Sequence, residues 1–230
     1  MAGAKEITAG VFQVGGDRFS NGEDCCVYLV DGDSESVLID AGAGRSAALI
    51  ADNILAAGVK LSTLKYLVVT HGHIDHIGGL AYLKEKLQLK VVAHQLELPA
   101  VESGLPHLTA ADWYGVRYER VKVDHVLKGE EERIKLGQLE LVCLHTPGHT
   151  VGGISPYIDI GKKRVLFGQD IHGPFNPEWG SDLSQWQHSM QKLIALKADI
   201  LCEGHFGIYS PASAVKEYIN GYLRQYGQRR

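Results

Sequence analysis

The chain has 230 residues, which suits one domain or two small ones, with 45% apolar residues, 22% charged residues and a formal net charge of −4. A chain of this size can bury a large core without staples, and its acidic balance argues against non-specific binding to nucleic acid or an anionic membrane. No apolar run reaches transmembrane length, Met1-Ala2-Gly3-Ala4-Lys5-Glu6 has no apolar signal region, and Cys25, Cys26, Cys143 and Cys202 lack C-x-x-C spacing, so a reduced, cytoplasmic protein with structural thiols is expected.

The loose alternation from Glu6 to Gly15 predicts a strand, and the polar stretch from Asp17 to Asp24 a turn. Cys25 to Val30 and Ser36 to Ile39 read as strands joined by the turn Asp31-Gly32-Asp33. The glycines of Asp40-Ala41-Gly42-Ala43-Gly44 match neither G-x-G-x-x-G nor a loop ending in G-K-[ST], so they do not read as a nucleotide site. Ser46 to Ala57 is predicted helical, with Ser46 as cap, Leu49, Ile50, Ile54 and Leu55 on one face, and Gly58 at the end. The apolar strand Tyr66 to Val69 runs into Thr70-His71-Gly72-His73-Ile74-Asp75-His76, and a helical pattern follows from about Gly79 to Leu87. Lys90 to Ala93 is a further strand.

Between Leu98 and Gly129, Pro99, Gly104 and Pro106 interrupt the pattern, and only Thr109 to Tyr114 suggests a helical turn or two. Long irregular connections often line binding sites, which makes His107, Trp113 and Tyr114 a candidate substrate wall; the alternative is that the two aromatics cover the core. Strands return at Arg133–Leu136, Leu139–Leu144, Ile154–Ile160 and Arg164–Phe167, the last two forming a hairpin across Gly161-Lys162-Lys163. The loop from Gly173 to Gly180 holds Phe175 and Trp179 and is expected to overhang Asp170. Asp182 caps a helix reaching about Leu196, with Leu183, Trp186, Met190, Leu193 and Ile194 buried, and Pro211 opens a final helix ending near Tyr222 to Tyr226. With no internal repeat or linker, residues 1–230 are expected to form one domain.

The same arrangement occurs four times: an apolar strand ends in a Gly-containing turn that carries His or Asp. The first is the His71–His76 turn. Leu139 to Leu144 runs into His145-Thr146-Pro147-Gly148-His149, Arg164 to Phe167 into Gly168-Gln169-Asp170, and Asp199 to Cys202 into Glu203-Gly204-His205. Imidazole nitrogen and carboxylate oxygen are ligands for zinc, iron and manganese, and rigid strand ends are good places to fix them. The candidate ligands are therefore His71, His73, Asp75, His76, His149, Asp170 and His205. The order H-x-H-x-D-H, T-P-G-H-T, a strand-end Asp and a late G-H resembles the metallo-β-lactamase superfamily over nearly the whole chain.

That resemblance implies an α/β (α+β) fold: an αββα sandwich of two mixed sheets flanked by helices, with metals at one edge. It implies that His71, His73 and His149 hold one ion and Asp75, His76 and His205 a second, that Asp170 bridges them, and that Asp40 stands behind the metal turn. The implied cofactors are two divalent ions, zinc by expectation, with iron or manganese as alternatives. The implied activity is hydrolysis of an ester, thioester, lactone or phosphoester by a metal-bridging hydroxide, with Asp75 as the catalytic residue that orients it. The seven-ligand pattern is closest to glyoxalase II and related thioesterases, lactonases and phosphodiesterases. About 25 residues follow His205, so the helical extension that holds glutathione in glyoxalase II is not expected, nor is the β-CASP insertion of nucleases. Gly204-His205-Phe206 departs from the frequent G-H-G. Trp113, Tyr114, Phe175 and Trp179 are the candidate substrate contacts. The expected partners are a small-molecule substrate and a second copy of the chain, without nucleic acid or membrane. An anionic substrate suits the roughly +1 formal charge of two dications, two aspartates and one hydroxide. Two other readings are a mononuclear iron persulfide dioxygenase held by His71, His149 and Asp170, and a non-catalytic metal-binding protein.

Overall fold

The computed structural model describes residues 3–32 and 34–227, so Asp33 of the expected turn and the first two residues lie outside the described residues. The first sheet is built in chain order from β1 (Lys5–Thr8), β2 (Val11–Gln13), β3 (Tyr28–Asp31), β4 (Ser36–Ile39), β5 (Leu64–Val68), β6 (Lys90–His94) and β7 (His125–Leu127). Its pairings are antiparallel from β1 to β4 and parallel from β4 to β7. The helices between its strands are α1 (Ala47–Ala56), α2 (Ile74–Ile77), α3 (Leu80–Leu87), α4 (Leu98–Val101), α5 (Pro106–Thr109) and α6 (Ala111–Tyr114).

The second sheet comprises β8 (Glu131–Leu136), β9 (Leu139–His145), β10 (Ile154–Ile160), β11 (Lys163–Phe167), β12 (Ile200–Cys202) and β13 (Ile208–Tyr209), in the order β13-β12-β11-β10-β9-β8. Its pairs are antiparallel except β11 with β12. Helices α7 (Leu183–Ala195) and α8 (Ala212–Gly227) cover its outer face.

The period-2 alternation of the strands decides the layers. In the first sheet Leu29, Leu38, Leu67, Val91 and Ala93 point to the helix side, where they meet Ile50, Ile54, Leu80 and Leu83. Their neighbours Tyr28, Val30, Val37, Ile39, Val68 and Val92 point to the other sheet. There they meet Leu141, Cys143, Val165, Phe167, Ile200 and Cys202, while Val142, Leu166 and Leu201 turn outward onto Trp186, Met190, Val215 and Ile219. Apolar faces on both sides of each sheet leave burial between helices as the one stable arrangement, and this produces the expected αββα sandwich of two mixed sheets.

Several local expectations are corrected. The strand expected from Glu6 to Gly15 is a hairpin, because Gly10 takes the left-handed backbone (φ 77°) and turns the chain between β1 and β2. Only the end of Cys25–Val30 joins the sheet, as β3 starts at Tyr28. Ser46 precedes α1 but makes no capping bond; its hydroxyl goes instead to the Asp24 carboxylate. Leu55 is 53% exposed, and Ala47, Ile50, Ala51 and Ile54 form the buried face of α1. Strands β7 and β13 fall in stretches read as loop; with three and two residues they are too short to show a period. Asp182 caps α7 as expected, its Oδ1 accepting from the Ser184 and Gln185 amides at 2.8 and 3.0 Å.

Candidate metal centre

Four strands deliver the seven expected ligands to one edge of the sandwich. β5 leads to the turn carrying His71, His73, Asp75 and His76, while β9, β11 and β12 of the opposite sheet lead to His149, Asp170 and His205. Asp75 and His76 lie in α2, and the His76 amide donates to the His73 carbonyl at 2.9 Å, which tightens the turn. The ligand atoms fall into two groups that share Asp170: His71, His73, His149 and Asp170, and Asp75, His76, Asp170 and His205.

In the first group His73 Nδ1 lies 3.0 Å from both His71 Nε2 and His149 Nε2, and Asp170 Oδ2 lies 3.5 Å from His149 Nε2 and 3.9 Å from His71 Nε2. In the second, Asp170 Oδ1 lies 3.2 Å from His76 Nε2 and 3.3 Å from His205 Nε2, and Asp75 Oδ2 is 3.2 Å from His205 Nε2.

The outward imidazole nitrogens orient the rings. His149 Nδ1 donates to the Pro174 carbonyl and His76 Nδ1 to Asp40 Oδ2, both at 2.8 Å, which aims each Nε2 inward. Asp40 is itself held by the Thr70 amide and hydroxyl, each at 2.8 Å, so it stands behind the metal turn as the resemblance implied.

Burial keeps the first group neutral: it lowers the His71 and His149 imidazoles and holds His73 down at about 3. In the second group burial acts downward on His205 too, but Asp170 and Asp75 outweigh it and push His205 up to about 10. His73 Nε2 is buried without a hydrogen-bond partner, and His76 Nε2 and Asp170 Oδ1 have none beyond the ligand atoms that face them. Converging imidazole nitrogens, two carboxylates and orphaned polar atoms make a donor set that fits divalent cations, with nitrogen and oxygen suited to zinc, iron or manganese.

A pocket of about 470 Å³ opens over these groups, lined among others by Asp24, Cys26, Trp113, Tyr114, Pro174, Trp179 and Phe206. Of the four expected substrate contacts, three line it. Trp179 packs edge-on against His73 at 4.4 Å between ring centroids, Trp113 leans on Trp179 at 4.9 Å, and Tyr114 lies beside Asp75. Phe175 does not line the pocket: its ring packs against Trp186 and Tyr226, at 5.4 and 4.8 Å, in the layer behind His149. Nor does His107, which is exposed on α5.

Three residues that sequence reasoning did not single out belong to the centre. Glu203 is fully buried, and its Oε2 accepts from the His205 and Phe206 amides at 2.6 and 2.7 Å, fixing the turn that presents His205. Its Oε1 accepts from His172 Nδ1 at 2.8 Å, and His172 lines the pocket. Glu97, 3% exposed, bonds to both loops of the first group. The one sequence signal available was the acid two residues before His205.

A family model described as the metallo-β-lactamase superfamily matches residues 21–205. The chain belongs to that superfamily. A probable metallo-hydrolase of Bacillus subtilis is 27% identical over 77% of this chain and 78% of its own length. An acyl-coenzyme A thioesterase of Gallus gallus is also 27% identical and covers 97% of this chain and 87% of its own. Among solved structures, a B3 metallo-β-lactamase with an active-site glutamic acid superposes with a TM-score of 0.83 at 23% identity, over 98% of this chain and 89% of that one; the likeness is one of fold. Membership accounts for the sandwich and for His and Asp clusters suited to divalent metals at its edge.

Proposed function

We propose that this superfamily member is a hydrolase that holds two divalent ions, zinc by preference, and cleaves acyl thioesters and esters. The observation that carries the reading is the pair of four-residue groups joined through Asp170. His71, His73 and His149 would hold one ion, Asp75, His76 and His205 the other, with Asp170 between. Bound there, the ions would supply water acidified toward neutral pH and polarise the substrate carbonyl. The chain's own residues do the rest. Asp75, buried and 3.2 Å from His205 Nε2, is placed to orient the attacking water. Trp179 and Trp113 exclude solvent on the side of the first group and offer an apolar wall to the acyl part. In the net reaction the water oxygen bonds to the acyl carbon, the C–S or C–O bond breaks, and the departing thiol or alcohol takes up a proton.

The thioester preference is supported by the Gallus gallus relative, which spans nearly all of this chain. An anionic arm on the substrate is supported by charge. The metal pocket has no lysine or arginine in its lining among the described residues, but the adjoining groove, which shares Asp17, Cys26, His205 and Phe206 with it, carries Lys5 and Arg18 against that one aspartate. A cytoplasmic location suits the four buried, unpaired cysteines.

Metal per chain decides between this reading and a mononuclear oxygenase. Wild type is expected to carry two ions, and Asp75→Ala and His205→Ala to fall toward one, with turnover of a thioester panel sharply reduced. One iron in wild type and in both variants, with oxygen consumed alongside a persulfide and no hydrolysis, would establish the oxygenase instead.

A further inference from the structure

Glu97 sits in the short 3-10 turn Gln95–Glu97 at the end of β6, beside β5 in the first sheet. Its side chain leaves that sheet and reaches the loop after β9 in the second. Oε2 accepts from the Gly72 amide at 2.9 Å. Oε1 accepts from the Thr150 hydroxyl at 2.6 Å and the Gly152 amide at 2.9 Å. Gly72 stands between His71 and His73, and Thr150 follows His149. Each carboxylate oxygen is thus committed to one of the two loops whose imidazoles meet 3.0 Å apart at His73 Nδ1 and His149 Nε2.

The neighbouring glycines are shaped by this contact. A Cβ at Gly152 would lie 2.8 Å from Glu97 Cγ, and one at Gly72 would lie 2.8 Å from Glu97 Oε2 and run into Ala100 Cβ. The glycine inside H-x-H and the one three residues after T-P-G-H are therefore the positions where any larger residue would push the tether away. Only a carboxylate can accept from donors at both ends; a carboxamide offers one accepting oxygen and turns an N–H toward the other loop.

We propose that Glu97 is a positioning residue that ties the His71–His73 loop to the His149 loop and thereby sets the ligand spacing of the first metal group. This rests on the reading of that group as a metal site. Sites of this kind tolerate about 0.5 Å of misplacement, and a single buried side chain bridging two loops from different sheets supplies that precision.

The test is Glu97→Gln, read by chelator-competition titration with Zn²⁺, by the visible spectrum of the Co²⁺-loaded protein, and by amide exchange at Gly72 and Gly152. The expected result is a first-group dissociation constant raised about 10–100-fold, a shifted Co²⁺ spectrum, faster exchange at both glycines, and second-group affinity retained. Thr150→Val removes one donor and keeps the carboxylate, so it should move the same readouts in the same direction by less; it serves if Glu97→Gln does not fold. Unchanged affinity and spectrum in the folded variant would overturn the proposal, as would equal loss at both groups, which marks general destabilisation. A wild type that takes up no divalent ion would overturn the metal reading and the positioning role with it, while amide exchange would still report whether the tether exists.

Discussion

His149 Nδ1 donates to the Pro174 carbonyl and His76 Nδ1 to Asp40, and those outward bonds aim the inward nitrogens. The same economy governs the pocket wall. Trp179 is buried against His73, whereas Trp113 is 64% exposed and has Trp179 as its aromatic support. Trp113→Ala therefore removes wall without opening the core. An aromatic contact is worth about 0.5–1.5 kcal/mol, so KM for a thioester with an apolar acyl group should rise about two- to tenfold. Metal content should hold, and the melting temperature should barely move, as for other exposed substitutions. Steady-state kinetics with metal analysis on the same preparation checks this; an unchanged KM would remove Trp113 from the binding surface.

At the scale of elements, the centre depends on how closely helix α7 presses on the loop that carries His149. Gly148 adopts φ 137°, a conformation few side chains reach, and a Cβ there would run into the backbone of Trp186. The loop and helix are also joined by the Asp182 amide, which donates to the Gly148 carbonyl at 2.8 Å. Gly148→Ala must either strain the backbone or move α7 off the sheet. Overpacking of this kind costs about 1–3 kcal/mol, and the strained φ adds to it. For a chain of this size the melting temperature should fall by roughly 5–10 °C. Because His149 is the next residue, first-group metal affinity should fall too. Thermal denaturation of the metal-loaded protein measures the first effect and chelator competition the second.

Across the whole molecule, the candidate ligands divide between the two sheets. His71, His73, Asp75 and His76 follow β5, while His149, Asp170 and His205 come from the other sheet. Ions held there would cross-link the sandwich at its edge, and their binding free energy would add to folding stability. With free metal at about a thousand times its dissociation constant, one ion contributes about 4 kcal/mol, so chelation should lower the melting temperature by roughly 8–15 °C, with recovery on adding zinc back. Scanning calorimetry with chelator, and again after reloading, tests this; identical melting temperatures would show that the centre does not join the sheets.

Sequence alone located most of the strands and the candidate ligands at their tips, because both are written in local order, while the αββα layering was implied by the resemblance to the superfamily. Alternation in Val37–Ile39, Val91–Ala93 and Val165–Phe167 assigns each side chain to a face whatever the partner strand is. A His or Asp just past the end of an apolar strand lies at that strand's tip however the sheets stack. Apart from Asp40, which the resemblance implied, the supports were decided by tertiary structure. Glu97 bonds to residues 25 and 55 positions away, and Tyr28 reaches the Glu203 carbonyl across 175. It also decided that Phe175 packs behind His149, and that the Ser46 hydroxyl is taken by Asp24 rather than used as a cap. In each case several partners compete for one polar or apolar group. The winner is whichever one the packed sheets bring into contact, within about 3 Å for a hydrogen bond, a distance that no spacing along the chain records.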